Sequence, residues 1–390
     1  MRIITPLLLL SSCYFFTACH EKPELVSSDY TFEEKALLDR YLDLPDEMDV
    51  YDPKFLYNMV TAGVARPHID RKKAVLGRVL FYDKSLSKDG AVSCSSCHKQ
   101  ELGFGDDKAV SLGVFGRTGE RNSLALSSVV SFGAQYGTDN NGPSATRFFW
   151  DNRSETAAQQ IFASMSNPKE MDMHMEEIVA AVESQPFYEV LFRKAYGDAQ
   201  VLPERVTESI ANFVNAMGSF QSKFDQADSK NPSGYIQSDF TDFTAGENRG
   251  KTVYLNNCAA CHSSRMTSAV FSHANNGLDD GLAADAGVGS VTGKSEDQGT
   301  FKVPTLRNIA VTAPYMHDGR FKTLEQVVEH YNSGIQNHPN LSPVLRNNVD
   351  GSPKRLNLTE RDKQDLIAFL YTLTDETIRT DQRFSDPFKR

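Results

Sequence analysis

Four stretches of the 390-residue chain carry apolar side chains at helical spacing, and they fall into two similar pairs. The first pair is "KKAVLGRVLFYD", which predicts a helix ending near Asp83, and "PERVTESIANFVNAMGSF" from Pro203. The second pair is "TAGENRGKTVYLNN", opening on the capping-box pattern Thr244-x-x-Glu247, and "TERDKQDLIAFLYTLTD" from Thr359. Both later helices set Ile, Phe and Leu or Met on one face, and the likeness of "SIANFVNAM" to "LIAFLYTL" suggests one fold used twice. A further helix is predicted from Thr323-x-x-Gln326 to a stop at Gly334. In it Leu324, Val327, Val328 and Tyr331 follow i, i+3, i+4, i+7, so Tyr331 shares the buried stripe, while His330 stands about 100° away. No strand-rich region and no membrane-spanning run competes, so the fold class is mostly α.

Cysteine placement adds chemistry to this pattern. Of six cysteines, Cys13 and Cys19 lie at the N-terminus, and the other four form "CSSCH" (Cys94, Cys97, His98) and "CAACH" (Cys258, Cys261, His262), each following the first helix of a pair. Two thiols and a histidine at this spacing let both sulfurs add to haem vinyl groups while the imidazole ligates the iron. Zinc would need further Cys or paired His, and neither lies near. Two covalently attached haem c groups are therefore expected. A helix before the motif and another closing the unit match the small class I cytochrome c plan. The expected architecture is two such haem domains packed together, with long insertions.

Charge and the chain ends bound the setting. A net charge of −10 argues against general nucleic-acid binding, which needs a basic surface. The opening residues, one Arg followed by an apolar run from Ile3, read as an export signal over 1–18. Phe16-Thr17-Ala18-Cys19 looks like a bacterial lipoprotein processing site, which would leave Cys19 lipidated and the protein periplasmic, anchored to a membrane only by that lipid. Residues 19–51 then read as an acidic tether, 52–230 as the N-terminal haem domain, 240–378 as the C-terminal one and 379–390 as a tail. The boundary falls in the Ser/Asn/Pro/Gly-rich segment "DSKNPSGYIQSDF", Asp228 to Phe240.

Over roughly residues 55–378 the chain resembles the bacterial di-haem cytochrome c peroxidase family, carried most visibly by "FKVPTLRNIAVTAPYMHDGRFKTLEQVVEHY". The resemblance places the far ligand of the second haem fourteen residues after His317, on Tyr331. Most peroxidases of the family carry methionine there and the MauG-like branch tyrosine, so this sequence sides with that branch. A phenolate donates more electron density than a thioether and favours the oxidised iron. Met316 and His330 are the other candidate ligands of this segment, and Tyr331 as a core residue is the reading periodicity alone supports. The branch with reductive activation has a distal histidine about sixteen residues after His98, where Val114 stands in "SLGVFGRTGERN", and no histidine occurs between His98 and His174. The resemblance thus implies an open, five-coordinate N-terminal iron.

Further along, "RFFWDNRSETAAQQIFASMSNPKEM" aligns Trp150, the only tryptophan, with the family's inter-haem tryptophan, and Gln160 and Glu170 with its distal-pocket pair. A buried carboxyl above an open iron can carry a proton between the two peroxide oxygens. Asn152 replaces the glycine usual after Trp-Asp. Asn122, Thr312 and Pro314 match positions where the family holds a calcium ion through one side-chain and two backbone oxygens. The resemblance implies hydrogen peroxide as substrate, with electrons from a small cytochrome c or other redox protein. Oxidation of a partner protein's Trp or Tyr side chains is the second reading, and a non-enzymatic electron carrier the third. His68, His174, His273 and His338 are expected to be surface or core residues.

Overall fold

The computed structural model describes residues 29–48, 51, 69–128, 134–136, 147–266, 269–280 and 285–389. The export signal, Cys19 and His68 lie outside the described residues. Among the described residues no helix is long and apolar enough to cross a membrane.

Two helix pairs organise the molecule. The Arg71–Tyr82 helix starts where the Asp70 carboxylate accepts from the Lys72 and Lys73 amides, and its residues 74–81 are all buried. It crosses the Pro203–Ala216 helix so closely that a Cβ on Gly77 would lie 1.9 Å from the Ser209 carbonyl oxygen. In the C-terminal half the Ala245–Asn257 helix, capped by the Thr244/Glu247 box, crosses the Glu360–Tyr371 helix in the same way. There a Cβ on Gly250 would lie 1.8 Å from the Asp365 carbonyl oxygen. Only glycine permits such backbone approach, so the repeat is built on two equivalent glycine crossings. Strand is sparse: Ala134–Tyr136 pairs in parallel with Ala269–Phe271, and His273–Ala274 antiparallel with Phe301–Lys302.

Two large apolar cores accompany these pairs, and their membership reaches into segments the sequence pattern left outside. In the expected 19–51 tether the described residues, 29–48 and 51, pack into the fold: Phe32–Leu38 is a helix capped by Thr31 and Glu34, and Tyr30, Leu38, Leu42, Leu44, Met48 and Tyr51 join the N-terminal core. The 379–390 tail is structural too. Phe384 is buried in that core, and the buried Arg78 guanidinium donates to the carbonyls of Gln382 and Ser385 at 2.8 Å. Short apolar clusters without period hid both segments, since their burial comes from a distant partner rather than from their own pattern. Just before the expected Asp228–Phe240 boundary, Phe224 and Ala227 of the Lys223–Ser229 helix, capped by Ser222, pack in the C-terminal core. The Pro/Gly-rich segment is a loop inside the C-terminal unit, with Ile236 and Phe240 buried in its core.

Candidate functional site

Each Cys-x-x-Cys-His turn is presented by its helix pair in the same way. His98 Nδ1–H donates to the Phe104 carbonyl at 2.9 Å, and Gly103 and Phe104 are both left-handed (φ 61° and 63°), which turns that carbonyl toward the ring. His262 Nδ1–H donates to the Pro304 carbonyl at 3.0 Å. A carbonyl can only accept, so Nδ1 carries the proton and Nε2 is the free lone pair on both rings. Burial keeps both imidazoles neutral, pushing His98 below its ordinary value and His262 down to about 4. The four cysteines form no disulfide. Burial raises Cys94 and Cys258 to about 12 and Cys97 and Cys261 to about 11, so all four are thiols at neutral pH.

These donor sets fit haem c. Cys94, Cys97 and His98 share the wall of a cavity of about 590 Å³, a size suited to a large cofactor. When bound, each haem supplies a redox-active iron held by the free Nε2. Metal binding by acidic or thiolate clusters has no counterpart, for no group of three or more His, Cys, Asp and Glu able to hold an ion exists among the described residues.

The far side of the N-terminal cavity is built by inserted segments. Trp150, Gln160 and Glu170 all line it, the last two from the Ala157–Ser166 helix and the turn that follows. His98 is the only histidine among the described lining residues. Burial raises the Glu170 carboxyl above its ordinary value, and hydrogen bonds from Ser164 and from Asn167 (2.7 Å) partly offset this. Val114 is fully buried and donates its amide to the Glu170 carbonyl at 2.8 Å. At the neighbouring Gly113 a Cβ would lie 2.2 Å from the Lys169 carbonyl oxygen, so this loop is seated on the Glu170 backbone. Asn167 and Ser164 went unnoticed in the sequence, where a lone Asn three residues before Glu170 carries no pattern.

In the C-terminal half the candidate ligands gather around one side chain. Met316 Sδ and Tyr331 Oη both lie 3.4 Å from Asn276 Nδ2, so the two candidate ligands converge on one amide that sequence reasoning missed. Burial pushes Tyr331 up to about 12, and the Asn276 hydrogen bond partly offsets this. The expected phase does not hold here: the helix ends at Glu329 and His330–Gly334 is a π-turn, so His330 is buried and Tyr331 half-buried. His330 Nε2 donates to the Asn276 carbonyl at 3.1 Å and its ring meets Tyr331 edge-on at 5.1 Å.

Trp150 sits where the two units meet. Its indole N–H donates to the Asn122 carbonyl at 2.8 Å, and its ring is edge-on to His317 at 6.5 Å. His317 in turn stacks on Phe301 at 3.7 Å. Arg121 joins the halves, reaching Asp151 at 2.6 Å and Asp285 through two bonds of 2.8 Å. Asn152 takes a left-handed φ of 58°, which accounts for the glycine usual at that position, and its amide donates to Ser272. Asn122 meets the Thr312–Gly319 loop, its amide donating to the His317 carbonyl at 2.7 Å. Its side-chain NH₂ points to the Lys108 and Ala109 carbonyls, which leaves Oδ1 on the other side. Among the described residues the Thr312 and Pro314 carbonyls accept no hydrogen bond. His174 caps a helix at the surface, His273 pairs with Asp297 at 3.1 Å, and His338 is buried.

Residues 71–232 match the family described as di-haem cytochrome c peroxidase, and residues 247–374 match cytochrome c. The chain is 32% identical to the methylamine utilization protein MauG of Methylorubrum extorquens over 318 residues, covering 78% of this chain and 79% of that one. It is 34% identical to the cytochrome c551 peroxidase of Nitrosomonas europaea over 265 residues, 66% of this chain and 71% of the relative. The crystal structure of a MauG-like protein associated with microbial copper homeostasis superimposes with a TM-score of 0.68 at 29% identity, covering 88% of this chain and 98% of that one. Two haem-binding turns on duplicated helix pairs, together with likeness along most of the chain, leave one assignment: this protein belongs to the di-haem cytochrome c peroxidase family and is a haem peroxidase carrying two haem c groups.

Proposed function

We propose that hydrogen peroxide is reduced on the His98 side of the molecule, with Glu170 as proton carrier, Gln160 as hydrogen-bond partner of the peroxide and Trp150 as the link to a second haem ligated by His262 and Tyr331. The observation that carries this is the cavity that brings Glu170, Gln160 and Trp150 together with His98 and no second histidine among its described lining. Haem bound there supplies the iron and the electrons for O–O cleavage. The overall change takes two electrons and two protons per peroxide and yields two waters. Glu170, half-buried and raised in affinity for its proton, takes a proton from one peroxide oxygen and returns it to the other, which makes that oxygen leave as water. The Asn167 amide fixes the carboxyl for this transfer.

The electrons come from a small cytochrome c or another redox protein. Oxidation of Trp or Tyr side chains of a partner protein is the second reading, favoured by the phenol in the C-terminal pocket and by the likeness to MauG. A calcium ion between the halves, held by Asn122 Oδ1 and the Thr312 and Pro314 carbonyls, would fix the segment that carries the Trp150 hydrogen bond. Export to the periplasm with lipid attachment at Cys19 completes the reading.

Electron paramagnetic resonance of the ferric protein tests the core of it. One high-spin and one low-spin haem are expected, and two low-spin signals would overturn the proposal in favour of an electron carrier. Adding peroxide with reduced cytochrome c then divides the two enzymatic readings. Rapid stoichiometric cytochrome oxidation selects the peroxidase, and a long-lived oxidised state that cytochrome leaves untouched selects the protein-modifying enzyme.

A further inference from the structure

Four cationic side chains are among the residues lining the N-terminal cavity: Arg121, Arg153, Lys169 and Lys302. Three have carboxylates. Arg121 is bound to Asp151 and Asp285, Arg153 to Asp151, and Lys169 to Glu120. Lys302 differs. It is 7% exposed, and among the described residues no carboxylate pairs with it; its Nζ donates to the Arg147 carbonyl at 2.7 Å. It reaches this wall from the C-terminal half, on the short strand Phe301–Lys302, whose Lys302 amide donates to the Trp150 carbonyl at 2.7 Å.

A buried ammonium without a counter-charge is costly, and burial alone pushes this one down to about 8. Such a group stays in a fold when something anionic completes its surroundings. The cofactor for which this cavity is built is itself a dianion at its two propionates. We propose that the Lys302 ammonium is the counter-charge for a propionate of the haem attached at Cys94 and Cys97, so that the C-terminal half sets the electrostatics of the N-terminal iron. The inference rests on haem occupying that cavity and is independent of whether the iron there reacts with peroxide. A positive charge near the porphyrin favours the reduced iron, and its loss favours the oxidised one.

Potentiometric titration of the holoprotein, with the two haems separated by spin state, tests this in Lys302→Met, Lys302→Gln and Lys302→Arg. In Lys302→Met the ratio of reduced to oxidised N-terminal haem, at a fixed solution potential, should fall about tenfold. Lys302→Arg should stay within about twofold of the parent, and the C-terminal haem should move less. The propionate bending bands in resonance Raman should shift in Lys302→Met and not in Lys302→Arg. An unchanged ratio in Lys302→Met, or an equal fall in Lys302→Arg, overturns the proposal. Should Lys302→Met fail to hold two haems, Lys302→Gln is read by the same criterion. A parent ratio that follows added inorganic phosphate would assign Lys302 to a free anion and also overturn it. If the His98 haem proves inert to peroxide while Lys302→Met still shifts its ratio, the peroxidase assignment fails and this one stands.

Discussion

The two haem turns differ less in how they hold the cofactor than in what faces it. Each follows a helix crossed at a glycine, and each turns its imidazole with a backbone carbonyl. On the N-terminal side the facing residues are Glu170 and Gln160, in a cavity of about 590 Å³. On the C-terminal side Tyr331, Met316 and Asn276 meet within hydrogen-bond reach. Duplication therefore supplied the attachment unit, while the inserted segments supplied the chemistry. In the proposed reading a catalytic and a storage haem share one scaffold because Glu170, Gln160 and Tyr331 are not part of the helix pairs that present the two histidines.

Breaking the contrast at its open end has the largest expected effect. Glu170→Gln should slow the reaction with peroxide by about 10²- to 10⁴-fold in stopped-flow measurements. The carboxylate must be ionised to take the first proton, and burial raises its pKa, so the parent rate should rise with pH through a point above the ordinary glutamate value. That limb should vanish in the variant. The shared part of the comparison is tested by Gly77→Ala and Gly250→Ala, where the new methyl meets backbone oxygen at 1.9 and 1.8 Å. Each should cost about 3 kcal/mol in denaturant unfolding of the holoprotein, and a cost at one crossing without the other would end the claim of equivalence.

On the C-terminal side, Tyr331→Met should raise the haem potential on the order of 0.1 V and leave the N-terminal one nearly still. Equal movement of both would remove Tyr331 as the ligand. Lys88→Ala gives the smallest effect. It breaks the half-exposed ion pair with Glu177, neither residue of which lines the N-terminal cavity, and should leave the denaturant midpoint and both potentials nearly unchanged.

The legible parts of the molecule are those whose signal is local. The four core helices, with their Asp70, Thr244 and Thr359 caps, follow from apolar period and capping residues within a few positions of each other. The haem turns follow from covalent spacing. Tyr331, Trp150 and Glu170 could be singled out only through resemblance, because one tyrosine, one tryptophan or one glutamate has no pattern of its own. Asn276 and Lys302 left no trace at all. The helix that carries Tyr331 shows how local reasoning fails: a π-turn at His330 breaks the phase that the apolar stripe sets up to Val328.

The amino-acid sequence by itself determined that two haem groups are attached, where, and on what kind of helix pair, since vinyl addition and helical periodicity both act over a handful of bonds. Tertiary structure alone decided which side chains line the N-terminal cavity, that Tyr30, Leu38, Leu42, Leu44, Met48, Tyr51 and Phe384 complete the N-terminal core, and that Lys302 reaches from the C-terminal half into the N-terminal cavity wall. Those outcomes depend on contacts between residues hundreds of positions apart, and no local spacing encodes them.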